Sequence, residues 1–222
     1  MSAGIGPALA WSGGKDSALA LWALREQGTA PTTLLTTVTA DYDRVSMHGV
    51  RRSLLLAQAA ATGLRLVEVE IPAGCTNEEY ERRMGAALVS PELAAIEEMA
   101  FGDLFLGDIR AYRESRLAAV GRRARFPLWG SDTAELARRF IAAGFRAILV
   151  CVDPRALDPA FAGRDYDERL LADLPAGVDP CGENGEFHTF VTAGPVFASP
   201  IPCRRGDVVE RDGFVFADLL AG

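Results

Sequence analysis

The chain has few cysteines, no long apolar run and no excess of basic residues. Its cysteines form no C-x-x-C pair, which argues against a zinc knuckle and a dithiol redox motif; they are Cys75, Cys151, Cys181 and Cys203. No apolar stretch approaches the ~18 residues of a membrane span, and the N-terminus lacks the pattern of a signal peptide. We therefore expect a cytoplasmic protein without a membrane partner.

Lysine and arginine are outnumbered by aspartate and glutamate, 23 to 30, which gives a formal net charge of −7. An acidic chain lacks the excess of positive charge with which a general nucleic-acid binder contacts phosphates, so we expect no nucleic-acid partner. With 222 residues, 49% of them hydrophobic, the chain can bury a full core.

A glycine-bearing motif lies between a short apolar run over residues 8–11, which predicts a strand, and a helical pattern over residues 16–27. Glycines let the backbone turn tightly around an anion, and the helix that follows presents free N–H groups and the positive end of its dipole. One cation and two hydroxyls are added, so a polyphosphate is the expected ligand. The spacing is not that of a Walker loop. The motif comprises Ser12, Gly13, Gly14, Lys15, Asp16 and Ser17.

Further along, apolar runs alternate with helical patterns. Strands are predicted over residues 34–39, 64–71, 104–106, 126–129 and 147–152, and helices over 50–62, 76–88, 112–120 and 132–144, with another starting at Ser90-Pro91. This order predicts a parallel sheet covered by helices on both faces. Asp108 would then follow a strand on the rim that carries the phosphate loop, where α/β sheets bind ligands.

The pattern changes after Asp153-Pro154. A small helix is predicted over residues 166–173, capped by Asp165, followed by short strands near 186–192, 196–197, 208–210 and 214–216 and a hairpin turn at residues 211–213. We therefore expect a larger domain with the phosphate loop over residues 1–125 and a smaller α+β lobe over residues 126–222.

A second polar motif occupies residues 181–190, with the sequence Cys-Gly-Glu-Asn-Gly-Glu-Phe-His-Thr-Phe. Its glycines allow the backbone to fold close to a ligand. Glu183, Glu186 and His188 offer a proton acceptor, a metal contact or a carboxylate for ammonium. A polar hairpin without such a role is the alternative, since turns of this composition are common.

Residues 12–17 resemble the signature of the ATP-pyrophosphatase, or PP-loop, superfamily, whose members split ATP into AMP and pyrophosphate while adenylating a second substrate. Residues 182–190 resemble the second signature of the diphthine-ammonia ligase family, as do Tyr112-Arg113 with Arg116, and residues 127–129 followed by Asp132. The resemblance implies a Rossmann-like adenine nucleotide α-hydrolase (HUP) sheet that binds ATP, and a C-terminal lobe that completes the acceptor groove. It also implies adenylation of a carboxylate and its amidation by ammonia.

The short chain and the Phe187-His188 version of the second signature resemble the prokaryotic branch. The Ala- and Arg-rich composition suits a GC-rich bacterium, where a diphthamide acceptor is not expected. The resemblance therefore implies the chemistry rather than the substrate, and the acceptor is expected to be a small molecule or a protein. A homodimer is also among the expectations.

Roles follow for individual residues. Lys15, Glu183, Glu186 and His188 are the predicted catalytic residues. ATP is expected to contact residues 12–17 together with His48 and Asp108, and Mg²⁺ to contact Asp16. The acceptor is expected to contact Arg113, Arg116, Asn184 and Thr189.

Plainer interpretations remain open for several of these residues. Asp16 and Asp108 are also suited to capping a helix. His48 is also compatible with a position in a surface loop. Arg113 and Arg116 are also compatible with a salt bridge between the two lobes. Cys181 suits a structural thiol better than a nucleophile. For the whole chain, the alternatives are a PP-loop enzyme acting on a small metabolite or on RNA, and a non-catalytic ATP sensor.

Overall fold

The computed structural model describes residues 6–222 and contains two β-sheets. The first sheet has five parallel strands in the spatial order β4-β2-β1-β5-β6, and a short antiparallel strand, β3, pairs with the end of β2. Its strands are β1 (Ala8–Ala10), β2 (Thr33–Thr39), β3 (Arg44–Val45), β4 (Arg65–Ile71), β5 (Glu98–Ala100) and β6 (Arg123–Arg125).

The second sheet is antiparallel throughout, in the spatial order β8-β7-β10-β9. Its strands are β7 (Arg146–Val152), β8 (Phe187–Ala193), β9 (Cys203–Arg211) and β10 (Phe214–Ala221). The predicted hairpin turn between the last two strands is confirmed: Asp212 and Gly213 adopt φ values of 54° and 79°, as a tight two-residue turn requires. The expected α/β class with a smaller second lobe is confirmed.

In the described part of the chain, six α-helices connect these strands: α1 (Lys15–Glu26), α2 (Arg52–Thr62), α3 (Asn77–Leu88), α4 (Gly107–Ala118), α5 (Thr133–Ala142) and α6 (Glu168–Asp173). Two predicted helix starts are confirmed by their caps. The Thr76 hydroxyl accepts from the Glu79 amide at 3.3 Å, and the Asp132 carboxylate accepts from the Glu135 amide at 2.8 Å. No helix within residues 6–222 is long and apolar enough to cross a membrane.

The two predicted strands at residues 104–106 and 126–129 are wrong. The first is loop leading into α4, and Leu104 is buried there as a loop residue; the second is a turn in which the Trp129 amide donates to the Phe126 carbonyl. The strands lie earlier, as β5 and β6. Residues 91–95 form turns rather than the predicted helix, and residues 196–197 are also turn.

Two further expectations are corrected. The apolar run over residues 147–152 joins the antiparallel sheet as β7 and not the parallel one. The small helix α6 begins after Asp167, whose carboxylate accepts from the Leu170 amide, rather than after Asp165. Tyr166 precedes it and fills the core at 2% exposure.

One hydrophobic core joins the two sheets. It contains Leu9 and Leu34 of the first sheet, Leu149 and Phe190 of the second, and apolar residues of α1 and α2, which contact both sheets. A second cluster packs α3 and α4 on the opposite face of the first sheet. Because α1 is held against β8, the loop before it lies beside the second sheet. The division of the chain at residues 125 and 126 stays a prediction.

Candidate functional site

The predicted strand, loop and helix around the first motif are confirmed. Gly13 has a φ of 78° and Gly14 is extended, so the chain reverses before α1 begins at Lys15. The Gly14 amide lies 3.2 Å from the Ser12 hydroxyl oxygen, and the Ser17 hydroxyl donates to the Gly14 carbonyl at 2.9 Å. Both hydroxyls therefore lie beside the free N-terminal amides of the helix.

Neither glycine leaves room for a side chain. A Cβ at Gly13 would lie 2.6 Å from Gln58 Oε1, and one at Gly14 would lie 3.0 Å from a ring carbon of His48. The close contacts that surround this loop require both glycines.

A pocket of about 350 Å³ opens at the carboxyl ends of β1, β2 and β5. One wall is the phosphate loop with the start of α1, and an adjoining wall is the turn before β8 with the start of that strand. Tyr80, Met84 and Phe101 supply an apolar side. The structure therefore brings the two motifs, which are far apart in sequence, to one cavity.

Lys15 lies in the wall between the motifs and is 2% exposed. Its Nζ donates to the two carboxylate oxygens of Asp16 at 2.9 and 2.8 Å and to the Cys181 carbonyl, and it lies 5.6 Å from the centre of the Phe187 ring. Burial alone lowers the pKa of Lys15, but the attraction of Asp16 and other acidic groups outweighs burial and raises it. The pocket therefore contains a fixed positive charge.

Glu183 faces the same pocket from the second motif. Its Oε1 accepts a hydrogen bond of 2.7 Å from the Leu104 amide. Burial raises the pKa of Glu183 to about 7, with the negative charges of Asp16 and Asp103 adding to the effect and the Leu104 amide opposing it. A carboxyl group with this pKa can take up and release a proton near neutral pH.

Glu186 has a different position, although it lies only three residues further on. It is 6% exposed, and its oxygens accept from the Asp179 amide and from the amide and side chain of Asn184, each at 3.0 Å. Its carboxylate is used by the backbone of its own turn and does not line the pocket. Asn184 is exposed and is occupied by Glu186.

The two histidines of the chain stack against each other at the pocket. The ring centres of His48 and His188 are 4.5 Å apart, and His48 Nδ1 lies 3.3 Å from the Thr189 carbonyl oxygen, which requires the His48 proton on Nδ1. Burial lowers the pKa of His188 to about 4, with a contribution from the positive charge of Lys15. Burial and the neighbouring imidazole hold the pKa of His48 well below its ordinary value. Both rings are therefore neutral at physiological pH.

Of the two predicted acceptor arginines, the structure brings only Arg113 to the pocket. Its Nε lies 3.0 Å from Asp103 Oδ2, and its guanidinium lies 4.3 Å from the centre of the Phe101 ring. Arg116 is exposed and pairs with Glu81 on the surface. Asp108 is exposed in the first turn of α4 and does not line the pocket.

Three contributors were not found from the sequence: Asp103, Tyr80 and Gln58. Asp103 follows β5 on the sheet rim, the position that the sequence analysis gave to Asp108. A correctly placed fourth parallel strand would have identified it. Gln58 is a fully buried amide of α2 that contacts the phosphate loop, and a polar residue on an apolar helix face was its only signal.

Cys181 is 1% exposed, and its thiol donates to the Thr133 carbonyl at 3.3 Å. Burial raises the pKa of Cys181 to about 12, so the reactive thiolate is absent at neutral pH, as for a structural cysteine. Phe187 is buried, and Trp129 contacts Arg110 outside the pocket.

Within residues 6–222, no three side chains of histidine, cysteine, aspartate or glutamate are placed to hold a metal ion together. Asp16 is the predicted Mg²⁺ contact, and its carboxylate is 30% exposed at the pocket. A single carboxylate suits a magnesium ion that is held mainly by phosphate oxygens and water.

Two family models match the chain: the diphthamide synthase N-terminal domain over residues 6–125 and the diphthamide synthase C-terminal domain over residues 132–213. Similar curated proteins include the diphthine-ammonia ligases of Mus musculus and Homo sapiens. They are 27% and 26% identical over 190 residues, which is 82% of this chain and 70% of each relative. A solved structure, described as a predicted subunit of a tRNA methyltransferase from Methanocaldococcus jannaschii, aligns with a TM-score of 0.42 at 15% identity, covering 86% of this chain and 98% of that one.

Proposed function

Since the chain belongs to the diphthamide synthase family, we propose that it is an ATP-dependent ligase that adenylates a carboxylate, releases pyrophosphate and amidates the acyl-adenylate with ammonia. One observation carries this proposal: the phosphate loop and the carboxyl group of Glu183 face one pocket. An anion-binding wall and a group that exchanges protons in the same pocket are what an adenylation followed by attack of an amine needs.

The phosphates of ATP bind at the loop. The Asp16 and Ser17 amides in the first turn of α1, the Ser12 and Ser17 hydroxyls and the buried ammonium of Lys15 supply donors and positive charge. These groups balance the negative charge that builds on the departing pyrophosphate. Mg²⁺, when bound, adds to that neutralisation, and Asp16 is the residue that would hold it. His48 stays a nucleotide contact in this proposal because it borders Gly14, whereas Asp108 does not.

The acceptor carboxylate approaches from the side of the pocket that Arg113 lines. Its oxygen bonds to the α-phosphorus as the bond to pyrophosphate breaks. Ammonia then forms the C–N bond, AMP leaves with its oxygen, and the proton lost from nitrogen passes to the Glu183 carboxylate. His188 is neutral beside this position and offers a hydrogen bond, while Glu186 maintains the turn that presents both residues.

The relatives are named for diphthine and ammonia. For this chain the acceptor is a molecule that carries a carboxylate, either a small metabolite or a protein side chain. Free ammonium is the proposed nitrogen source. The phosphate loop and Glu183 support the proposed chemistry for any acceptor of this kind.

The test uses the full chain with α-labelled ATP, Mg²⁺, ammonium and fractions of an extract from its own host. Labelled AMP that appears only with a particular fraction, and only with intact Lys15, is the expected result. Label that leaves as ADP would overturn the adenylation step. ATP binding without any product in all fractions would favour a nucleotide sensor instead.

A further inference from the structure

Gln58 of α2 reaches the phosphate loop from the interior of the protein. It is completely buried, and its Oε1 accepts from the Trp11 indole at 3.1 Å. Its Nε2 donates to the Gly13 carbonyl at 3.0 Å and to the Val191 carbonyl at 2.6 Å. One side-chain amide thus joins the end of β1, the phosphate loop and β8. A buried amide is costly unless it is paired, and both of its hydrogens are paired here.

The bond to Gly13 controls the direction of the next N–H group. The Gly13 carbonyl accepts from Gln58 and also from the Val191 amide at 2.9 Å, so it points toward β8. A peptide bond is planar and trans, which makes its N–H point opposite to its C=O. The Gly14 N–H therefore points away from β8, toward the Ser12 hydroxyl that lines the pocket.

Glycine at position 13 makes the opposite orientation accessible. Gly13 has a φ of 78° and no side chain, so rotation of the Gly13–Gly14 peptide meets little intrinsic resistance. A rotated peptide would present a carbonyl oxygen to the phosphates in place of an N–H, which repels an anion. The loop needs a restraint on this peptide from outside its own backbone.

We propose that Gln58 is a positioning residue that holds the Gly13–Gly14 peptide in the orientation that donates the Gly14 N–H to a bound phosphate. This inference rests on the nucleotide site of the proposed function. Gln58 acts through the loop and does not line the pocket. Its contribution is therefore to the phosphate part of the ligand and not to the nucleoside part.

Two substitutions separate this role from simple packing. In Gln58→Glu, measured at a pH at which the new carboxyl is ionised, a group that only accepts hydrogen bonds would face the carbonyl oxygens of Gly13 and Val191 while still accepting from Trp11. Gln58→Met keeps the volume and removes both donors, but the Gly13 carbonyl retains the Val191 amide. We expect the glutamate variant to be the more strongly affected. Leu93→Ala, in the second core cluster, is the control for lost stability without a change at the loop.

The measurement is the Kd of each full-length variant for ATP, AMP and adenosine by calorimetry. Gln58→Glu should weaken ATP binding by about tenfold or more and adenosine binding by less than about threefold, because the loss of both donors disturbs the loop peptide that contacts the phosphates and leaves the nucleoside contacts in place. Leu93→Ala should leave the ratio of the two Kd values unchanged. Equal loss of ATP and adenosine binding, or no loss, would overturn the role of Gln58.

A measurement on the wild-type chain tests the inference without depending on whether the variants fold. The Gly14 amide should show a large shift in its ¹⁵N NMR signal when ATP is added, and a smaller shift with adenosine. A Gly14 signal that shifts no more with ATP than with adenosine would overturn the inference even if ATP binds. Failure of the wild-type chain to bind ATP at all would overturn the proposed function together with it.

Discussion

The backbone amide of Lys15 donates a hydrogen bond of 3.0 Å to the side-chain hydroxyl of Thr189, which lies on β8. The first amides of a helix have no partner within the helix, and the residue before it usually caps one of them with its side chain. Gly14 precedes α1 and has no side chain. A residue from the second sheet therefore takes this role, and it joins the phosphate loop to the strand that follows the Glu183 turn.

Replacing Thr189 by valine should destabilise the protein, whereas serine should be tolerated. Thr189 is 2% exposed, so valine would leave the Lys15 amide buried without an acceptor. That loss should lower the free energy of unfolding by ~1–3 kcal/mol. Urea unfolding of the two variants tests this. Equal stability of Thr189→Val and Thr189→Ser would show that the hydroxyl is not needed at this amide.

Replacing Lys15 by methionine should weaken ATP binding by about tenfold or more, because a charge-assisted contact to phosphate is removed. Calorimetry with ATP and with adenosine checks this, and adenosine binding should change little.

Lys15 is the only lysine in the chain, so a lysine-labelled sample gives one ¹³Cε NMR signal. Since the acidic groups around Lys15 raise its pKa despite burial, this signal should not titrate within the neutral range. A titration near neutral pH would contradict the charge assigned to the pocket.

Local signals predict the phosphate loop well and the position of Asp103 poorly. The loop and α1 follow from two glycines and a periodic helix, which are visible within one short segment. β5 has three residues and starts with a glutamate, and its pairing with β1 and β6 comes from distant parts of the chain. The apolar residues 104–106 match the sequence pattern of a strand better than the residues of β5 do. That misplacement assigned the rim position to Asp108 instead of Asp103.

In the second motif too, the sequence predicts the kind of segment but not the role of each residue. Its composition predicts a functional turn, and the structure places that turn at the pocket. Composition does not distinguish Glu183 from Glu186, since both are glutamates in the same glycine-bearing segment. Their environments differ only because the turn folds around Glu186 and directs Glu183 toward Leu104. Long-range backbone contacts of this kind have no signature in a single sequence.

Replacing Glu186 by glutamine should destabilise the turn and spare ATP binding. The carboxylate accepts three hydrogen bonds from Asp179 and Asn184, and glutamine has one acceptor oxygen where glutamate has two. At least one amide would lose its partner, at a cost of ~1–3 kcal/mol. Hydrogen exchange should show faster opening of residues 179–186, with an unchanged Kd for ATP. Unchanged exchange together with lost turnover would instead favour a direct catalytic role for Glu186.

The pH dependence of turnover should report Glu183. Its carboxyl must be deprotonated to accept the proton from the attacking nitrogen, and burial raises its pKa to about 7. We therefore expect kcat to rise as the pH increases through about 7. Glu183→Gln should lose turnover at every pH while binding ATP. A profile in Glu183→Gln with the same midpoint as the wild type would assign the titration to another group.

The same carboxyl group should also affect stability in a direction that can be worked out. The pKa of Glu183 is about 7 in the folded protein because of burial, and near its ordinary value of 4.5 in the unfolded chain. The folded state therefore binds the proton more tightly, and the free energy of unfolding falls as the pH rises between these two values. Glu183→Gln has no charge to bury and should lack this decrease, while its amide oxygen still accepts from Leu104. Its stability relative to the wild type should increase across this range and level off above it.

Urea unfolding at a series of pH values tests this, with Glu186→Gln as the control whose deficit persists above neutral pH. Parallel stability curves for Glu183→Gln and the wild type would show that Glu183 is not buried as a protonated acid.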